Sequence, residues 1–195
     1  KGISFFLLDM NLPGIEVRPL KQMTGDHEFC EVFFDDVLMP KNALLGDLHG
    51  GWSVAMTVLE DERSGAGSAD VISLSRRLQS MTSNAKETDS LTRQSLTSLL
   101  SRGRSLQSLL EGRGSDPMMA PIAKLLNTEI GYDEAQIESR ILGPLSMLNS
   151  DATDRLLYSP GMRIAGGSSE IQRNIIGERI LGLPREPQIS NSPEA

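Results

Sequence analysis

Two stretches of this chain carry residues whose types and spacing could do chemistry. In the first, Glu62 and Arg63 follow an apolar stripe at helical spacing, Trp52, Ala55, Met56, Leu59, Ala66 and Val71, broken at Gly65 and Gly67. Glu62 lies three residues after Leu59 and four before Ala66, so it points from the apolar side, with Arg63 at its border. Glu60 and Asp61 fall elsewhere on the circumference. A carboxylate on a buried side must be paired, hydrogen-bonded or raised in pKa. The first outcomes make Glu62 a structural partner of Arg63 or another cation; the last makes it a general base for proton abstraction.

The second stretch is Gly166-Gly167-Ser168-Ser169-Glu170, which leads into apolar residues at 171, 175, 176 and 180, one face of a helix. Ser168 or Ser169 can cap it, Glu170 sits in its first turn, and Gly182 with Pro184 stops it. A glycine turn at a helix N-terminus offers free N–H groups to polar or anionic ligand atoms. The same residues also suit an ordinary capped surface helix.

Composition narrows the classes of partner. A net charge of −7 argues against nucleic acid and anionic membrane surfaces. Cys30 is the sole cysteine, which excludes a disulfide framework and points to a reducing, cytoplasmic setting. No apolar run reaches the roughly 18 residues a membrane span requires. The start at Lys1-Gly2-Ile3, without a methionine and running straight into a strand, reads as a piece of something longer.

The elements that must position these residues follow in order. Residues 3–8, 15–19 and 29–34 read as short strands of an antiparallel sheet, with a turn at Asn11-Leu12-Pro13-Gly14 and Val37 leading into Pro40. Three or four such strands with no helix on them make a poor independent fold. From Gly50 the period changes to 3.6. Leu74, Leu78, Leu91, Leu96, Leu99, Leu100, Leu106 and Leu110 predict two helices with a break at 84–89. A loop at 112–117 precedes a helix bearing Ile122, Leu125, Leu126, Glu129 and Ile130. The expected division is residues 1–49 as part of a β-domain, 50–185 as a helical domain, and 186–195 as a frayed tail.

The segment Gly166 to Ile176, followed by Glu178-Arg179-Ile180-Leu181-Gly182-Leu183-Pro184-Arg185, strongly resembles the C-terminal signature of the acyl-CoA dehydrogenase family. Pro13-Gly14-Ile15-Glu16-Val17-Arg18-Pro19 and Glu31-Val32-Phe33-Phe34-Asp35-Asp36-Val37-Leu38-Met39-Pro40 resemble the closing half of that family's middle β-domain. The resemblance implies an α+β fragment: the second half of an antiparallel β-domain, then an all-α four-helix bundle. It implies FAD as cofactor, an acyl-CoA substrate oxidised to trans-2-enoyl-CoA, electron-transfer flavoprotein as acceptor, and oligomers formed through the helices. Oxidase chemistry, with oxygen as acceptor, stays open.

Most members carry the catalytic glutamate where this chain has Gly166. A minority, the isovaleryl-CoA type, place it on the helix after the β-domain, directly before an arginine, which here is Glu62-Arg63. The resemblance therefore assigns Glu62 as α-proton base with Arg63 supporting, and the N–H of Gly166 as an oxyanion donor. It puts Gly167, Ser168 and Glu170 at the flavin, Glu60 near the pantetheine, and Leu59 and Ala66 in the acyl pocket. Two cofactor motifs of usual members, R-x-x-F-G and Q-x-x-G-G-x-G, have no match; Ile141-Leu142-Gly143-Pro144-Leu145 stands in place of the second. That loss is similar to subunits of heteromeric actinobacterial enzymes of steroid side-chain degradation, so a catalytically silent helical partner subunit is the alternative.

Overall fold

The computed structural model describes residues 2–65, 68–84, 88–113 and 116–185; the side chains of residues 60–65, 68–72, 84 and 117 also lie outside the description. Four strands come first: β1 (Phe5–Phe6), β2 (Ile15–Leu20), β3 (Phe29–Phe34) and β4 (Leu44–Leu45). Helices follow: α1 (Gly51–Gly65), α2 (Ser68–Asn84), α3 (Ser90–Arg113), α4 (Ala120–Leu142), α5 (Asp151–Met162) and α6 (Ser169–Ile175), the last running into a π turn over Ile176–Ile180. Single 3-10 turns at Pro117–Met119 and Gly143–Met147 bracket α4.

The expected single sheet is two two-stranded ribbons. β2 pairs antiparallel with β3, with Val17 opposite Val32, and β1 pairs with β4. The first strand is two residues long and, among the described residues, its ladder partner is the equally short β4, an element that side-chain alternation does not reveal. Val37 to Pro40 forms no strand. Every residue of β3 is exposed, and Val17 and Leu20 of β2 are as well. A lone ribbon of this kind is marginal in water, so its stability has to come from packing beyond the ribbon itself.

The core lies among α2, α3 and α4. Leu74, Leu78 and Met81 of α2 repeat at four and three residues; Leu96, Leu99 and Leu106 of α3 continue the pattern. Ala123, Ile130 and Ile137 of α4 close the cluster, each seven apart. Burying a leucine this fully contributes roughly 2 kcal/mol. Leu91, expected in this stripe, is 65% exposed, on a different side of the first turn of α3 from the buried Thr92. Asp89 caps α3, accepting the Thr92 N–H at 2.9 Å and its hydroxyl at 2.6 Å. Gly103 lets α2 and α3 approach: a Cβ there would sit 2.7 Å from Leu78 Cδ1.

α4 is the central helix, touching α2, α3, α5 and α6 as well as α1. It buries a second line at Thr128 and Ala135, seven apart and offset from the first. Arg77 of α2 is bolted to it through Glu134, with Nε to Oε1 at 2.6 Å and Nη2 to Oε2 at 2.9 Å. Arg155 of α5 grips Glu138 in a similar forked way, with Nη2 to Oε1 at 2.8 Å and Nε to Oε2 at 3.2 Å.

α1 joins the ribbons to the bundle. The N–H of Gly51 donates to Ile3 O at 2.9 Å, and a Cβ on Gly51 would lie 2.5 Å from the Phe5 nitrogen and the Ser4 carbonyl carbon. Since both obstacles are backbone, Gly51→Ala is expected to cost about 2 kcal/mol through forced backbone shifts, read as a lowered Tm.

Candidate functional site

The connection from α5 to α6, Arg163 to Ser168, is where chemistry-bearing groups converge. Gly166 and Gly167 both have positive φ, 64° and 98°, a region L side chains rarely enter. The side chain of Ser168 caps α6 by accepting the N–H of Ile171 at 3.4 Å. The Glu170 carboxyl is held below its ordinary value, first by its own backbone N–H and then by the Ser168 hydroxyl. The helix start thus carries its own counter-charge.

Side chains from α4 and α6 grip this turn from below. Lys124 Nζ donates to Gly167 O at 2.5 Å, and Gln172 Nε2 donates to Gly166 O at 2.9 Å. Glu129 Oε1 accepts the Ser169 hydroxyl at 2.6 Å and Arg163 Nη2 at 3.1 Å, with Arg173 Nη2 farther off at 3.5 Å. The Arg163 guanidinium also lies 4.8 Å from the Tyr132 ring centre, a cation–π contact. Burial lowers the Lys124 amine from its usual value against the pull of Glu129 and Glu170.

Burial pushes the Glu129 carboxyl up, but the Ser169 hydroxyl, Arg163 and Arg173 together outweigh it, leaving its pKa below the usual 4.5. A depressed folded-state pKa adds stability that is present above the unfolded value and lost as pH falls through the folded one. Melting temperature should therefore drop between pH 5 and 3 more in the native protein than in Glu129→Gln, which has no such carboxyl to protonate.

The structure brings Gly166, Gly167, Ser168 and Glu170 together in one turn, as their sequence adjacency requires. Gly166 is exposed, with only Lys124 Cε, at 3.9 Å, near the place a Cβ would occupy. Glu60, Glu62 and Arg63 lie on α1, a helix that packs on α4 as α6 does; their side chains, and Ala66 altogether, are outside the described residues. Leu59 and Trp52 of the same helix are 37% and 63% exposed, while Ala55 and Met56 of the stripe are half-buried.

Lys124, Glu129 and Gln172 were not legible as site residues. Gln172 could have been found, because a polar side chain shares the face of Ile175 and Ile176 and must be satisfied there. It is fully buried, and its Oε1 has no partner among the described residues. Lys124 and Glu129 needed the fold, which alone lays α4 under the turn.

A cleft of about 160 Å³ opens elsewhere, lined by Leu74, Arg77, Thr128, Tyr132, Glu134 and Tyr158. Its charged groups are held in ion pairs, Arg77 with Glu134 and Arg155, also in the lining, with Glu138. Among the described residues no cluster suits a metal ion, and no helix is long and apolar enough to cross a membrane.

Residues 49–181 match the family description "Acyl-CoA dehydrogenase, C-terminal domain". The chain is 37% identical over 198 residues to acyl-CoA dehydrogenase IpdE1 of Mycolicibacterium smegmatis, covering 95% of this chain and 50% of that protein. Against acyl-CoA dehydrogenase FadE34 of Mycobacterium tuberculosis it is 33% identical over 95% of this chain and 27% of the relative. The chain thus spans about half the length of IpdE1. Its fold is that of one chain of the ChsE4-ChsE5 complex from Mycobacterium tuberculosis, with a TM-score of 0.75, 24% identity and coverage of 95% and 53%. The glutaryl-coenzyme A dehydrogenase glutaryl-CoA complex gives 0.76 at 20% identity, covering 93% and 51%. With a family match over most of the chain and a relative this similar along nearly all of it, the chain belongs to the acyl-CoA dehydrogenase family.

Proposed function

We propose that the protein containing this chain carries out flavin-dependent α,β-dehydrogenation of an acyl-CoA thioester, with Glu62 as the α-proton base. In this reading residues 50–185 form the helical domain and 1–49 the end of a β-domain. One observation carries the assignment of the base: Gly166 holds φ 64° and has no side chain, so no carboxylate can act from that position. The proton acceptor must then come from another element, and α1 offers Glu62 beside a cation, Arg63.

The residues of the turn fit one edge of a flavin site. Two glycines leave Gly166 open to close approach, and Gln172 keeps a buried side-chain carbonyl oxygen without a partner among the described residues. Gly167, Ser168 and Glu170 would hold FAD, which when bound accepts the β-hydride. Glu62 takes the α-proton. The N–H of Gly166 donates to the thioester oxygen as negative charge develops there, and a fixed backbone donor serves this without reorganising. Leu59 and Ala66 border the acyl chain, and Glu60 lies toward the pantetheine. Electron-transfer flavoprotein would serve as the electron acceptor.

The test uses the complete protein, co-purified with any partner chain. It is expected to carry flavin whose visible absorbance bleaches on anaerobic mixing with an acyl-CoA and regains colour with electron-transfer flavoprotein. Flavin-free protein, or a flavin that no acyl-CoA of short, long or alicyclic type reduces, sinks the proposal.

A second reading, a silent helical subunit of a heteromeric enzyme, is favoured by the 3-10 turn at Gly143–Met147. There Leu145, Met147 and Leu148 are exposed, an apolar surface suited to a protein partner. Under this reading the assembled enzyme keeps full activity when Glu62 is replaced.

A further inference from the structure

The turn from Ala165 to Ser168 cannot hold its own shape. Two consecutive glycines have more conformations open to them than any other pair, and both sit in the left-handed region. The backbone bonds of the connection stop at Ala165, whose N–H donates to Gly161 O at 2.9 Å, and resume at Ser168, whose carbonyl accepts the Gln172 N–H at 2.9 Å. Between them the carbonyls of Gly166 and Gly167 are taken by side chains, Gln172 and Lys124 respectively.

A trans peptide is planar, with its N–H antiparallel to the carbonyl it follows. Holding Gly166 O therefore fixes the direction of the Gly167 N–H, and holding Gly167 O fixes that of Ser168. The Gly166 N–H lies one peptide earlier, caught between these and the tethered Ala165 amide. We propose that Lys124 and Gln172 are positioning residues of the site: they aim the N–H groups of Gly166, Gly167 and Ser168 at bound thioester and cofactor.

The two anchors differ in kind. Gln172 is fully buried and comes from α6 itself, whereas Lys124 reaches across from α4 and makes a charge-assisted bond. The lysine stem passes Gly166 on its way, with Cε at 3.9 Å from the Cβ position. Glu129, five residues along α4, ties down Ser169 on the far side of the turn. The central helix of the bundle thus holds the turn at two points, and a shift of α4 would re-aim the donors.

This inference rests on the dehydrogenase reading for what the donors meet, but not for what holds them. The test compares Lys124→Met, which keeps the stem and loses the donor, with Lys124→Arg, which keeps both charge and donor, in the complete protein. Amide exchange of Ile171 and Gln172, whose N–H groups donate to Ser168, should speed up about tenfold in Lys124→Met, and kcat should fall about 10- to 100-fold with KM within about twofold. Lys124→Arg should recover most of both, which a loss of general stability would not produce. Should Lys124→Met fail to fold, Lys124→Gln, with a shorter neutral donor, should give a smaller change in the same direction. Unchanged exchange at both amides overturns the inference, whatever the activity. If the unaltered protein oxidises no acyl-CoA, the dehydrogenase reading fails alone and exchange decides the positioning role.

Discussion

Glu62→Gln is expected to lower acyl-CoA turnover by about 10³-fold, within the range a positioned general base contributes. Glutamine keeps the size and hydrogen-bonding reach of the side chain but cannot take up a proton. Flavin content and melting temperature should stay near those of the unaltered protein, because the change is isosteric. The loss should appear in kcat and in the rate of anaerobic flavin bleaching by substrate, with KM little affected, as for an interaction made only in the transition state. Asp61→Asn, off the apolar side of the same helix, serves as the control and should retain activity within about threefold. A Glu62→Gln enzyme with more than a tenth of normal turnover would hand the base to another residue, and full activity would favour the silent-subunit reading.

Glu134→Ala should give the largest loss of stability, about 3 kcal/mol, measured as a drop in denaturation midpoint at unchanged slope. Glu134 is 1% exposed on the central helix and receives both arms of the Arg77 fork. Truncation removes that forked bond and leaves a guanidinium one-third exposed against an emptied space. The partial exposure of Arg77 keeps the cost at the lower end of what breaking a buried pair brings. Glu134→Gln, which retains one acceptor, should lose about half as much. Because Arg77 is the bolt between α2 and α4, amide exchange should rise first along α2, and a loss spread evenly over all helices would contradict this placement.

The helical half of the fold was largely legible from spacing. Leucines at 74, 78, 96, 99 and 106 fall on 3.6-residue stripes, and all are buried. The strand at 29–34 comes out at the bounds the residues predict, and α2 runs to Asn84 and α3 starts at Ser90 on either side of the expected break, of which residues 85–87 lie outside the described residues. The strand region was less legible. Alternation marks a residue's face but not its ladder partner, so β4 and the splitting into two ribbons stayed hidden. The π turn at Ile176–Ile180 was hidden too: apolar spacing there is helical, and only the hydrogen-bond register differs.

Of the candidate site, chain order by itself determined the parts whose neighbours are adjacent in sequence: the two glycines, the Ser168 cap, the Glu170 charge at the first turn of α6, and the lack of a side chain at Gly166. These follow from backbone sterics and local hydrogen bonding, which need no distant partner. Only the tertiary structure decided what holds them. Lys124 and Glu129 reach the turn across 43 and 40 residues of chain, and Arg163 meets Glu129 across 34. No periodicity encodes such contacts, because they depend on where α4 lies once α2 and α3 have buried its other face.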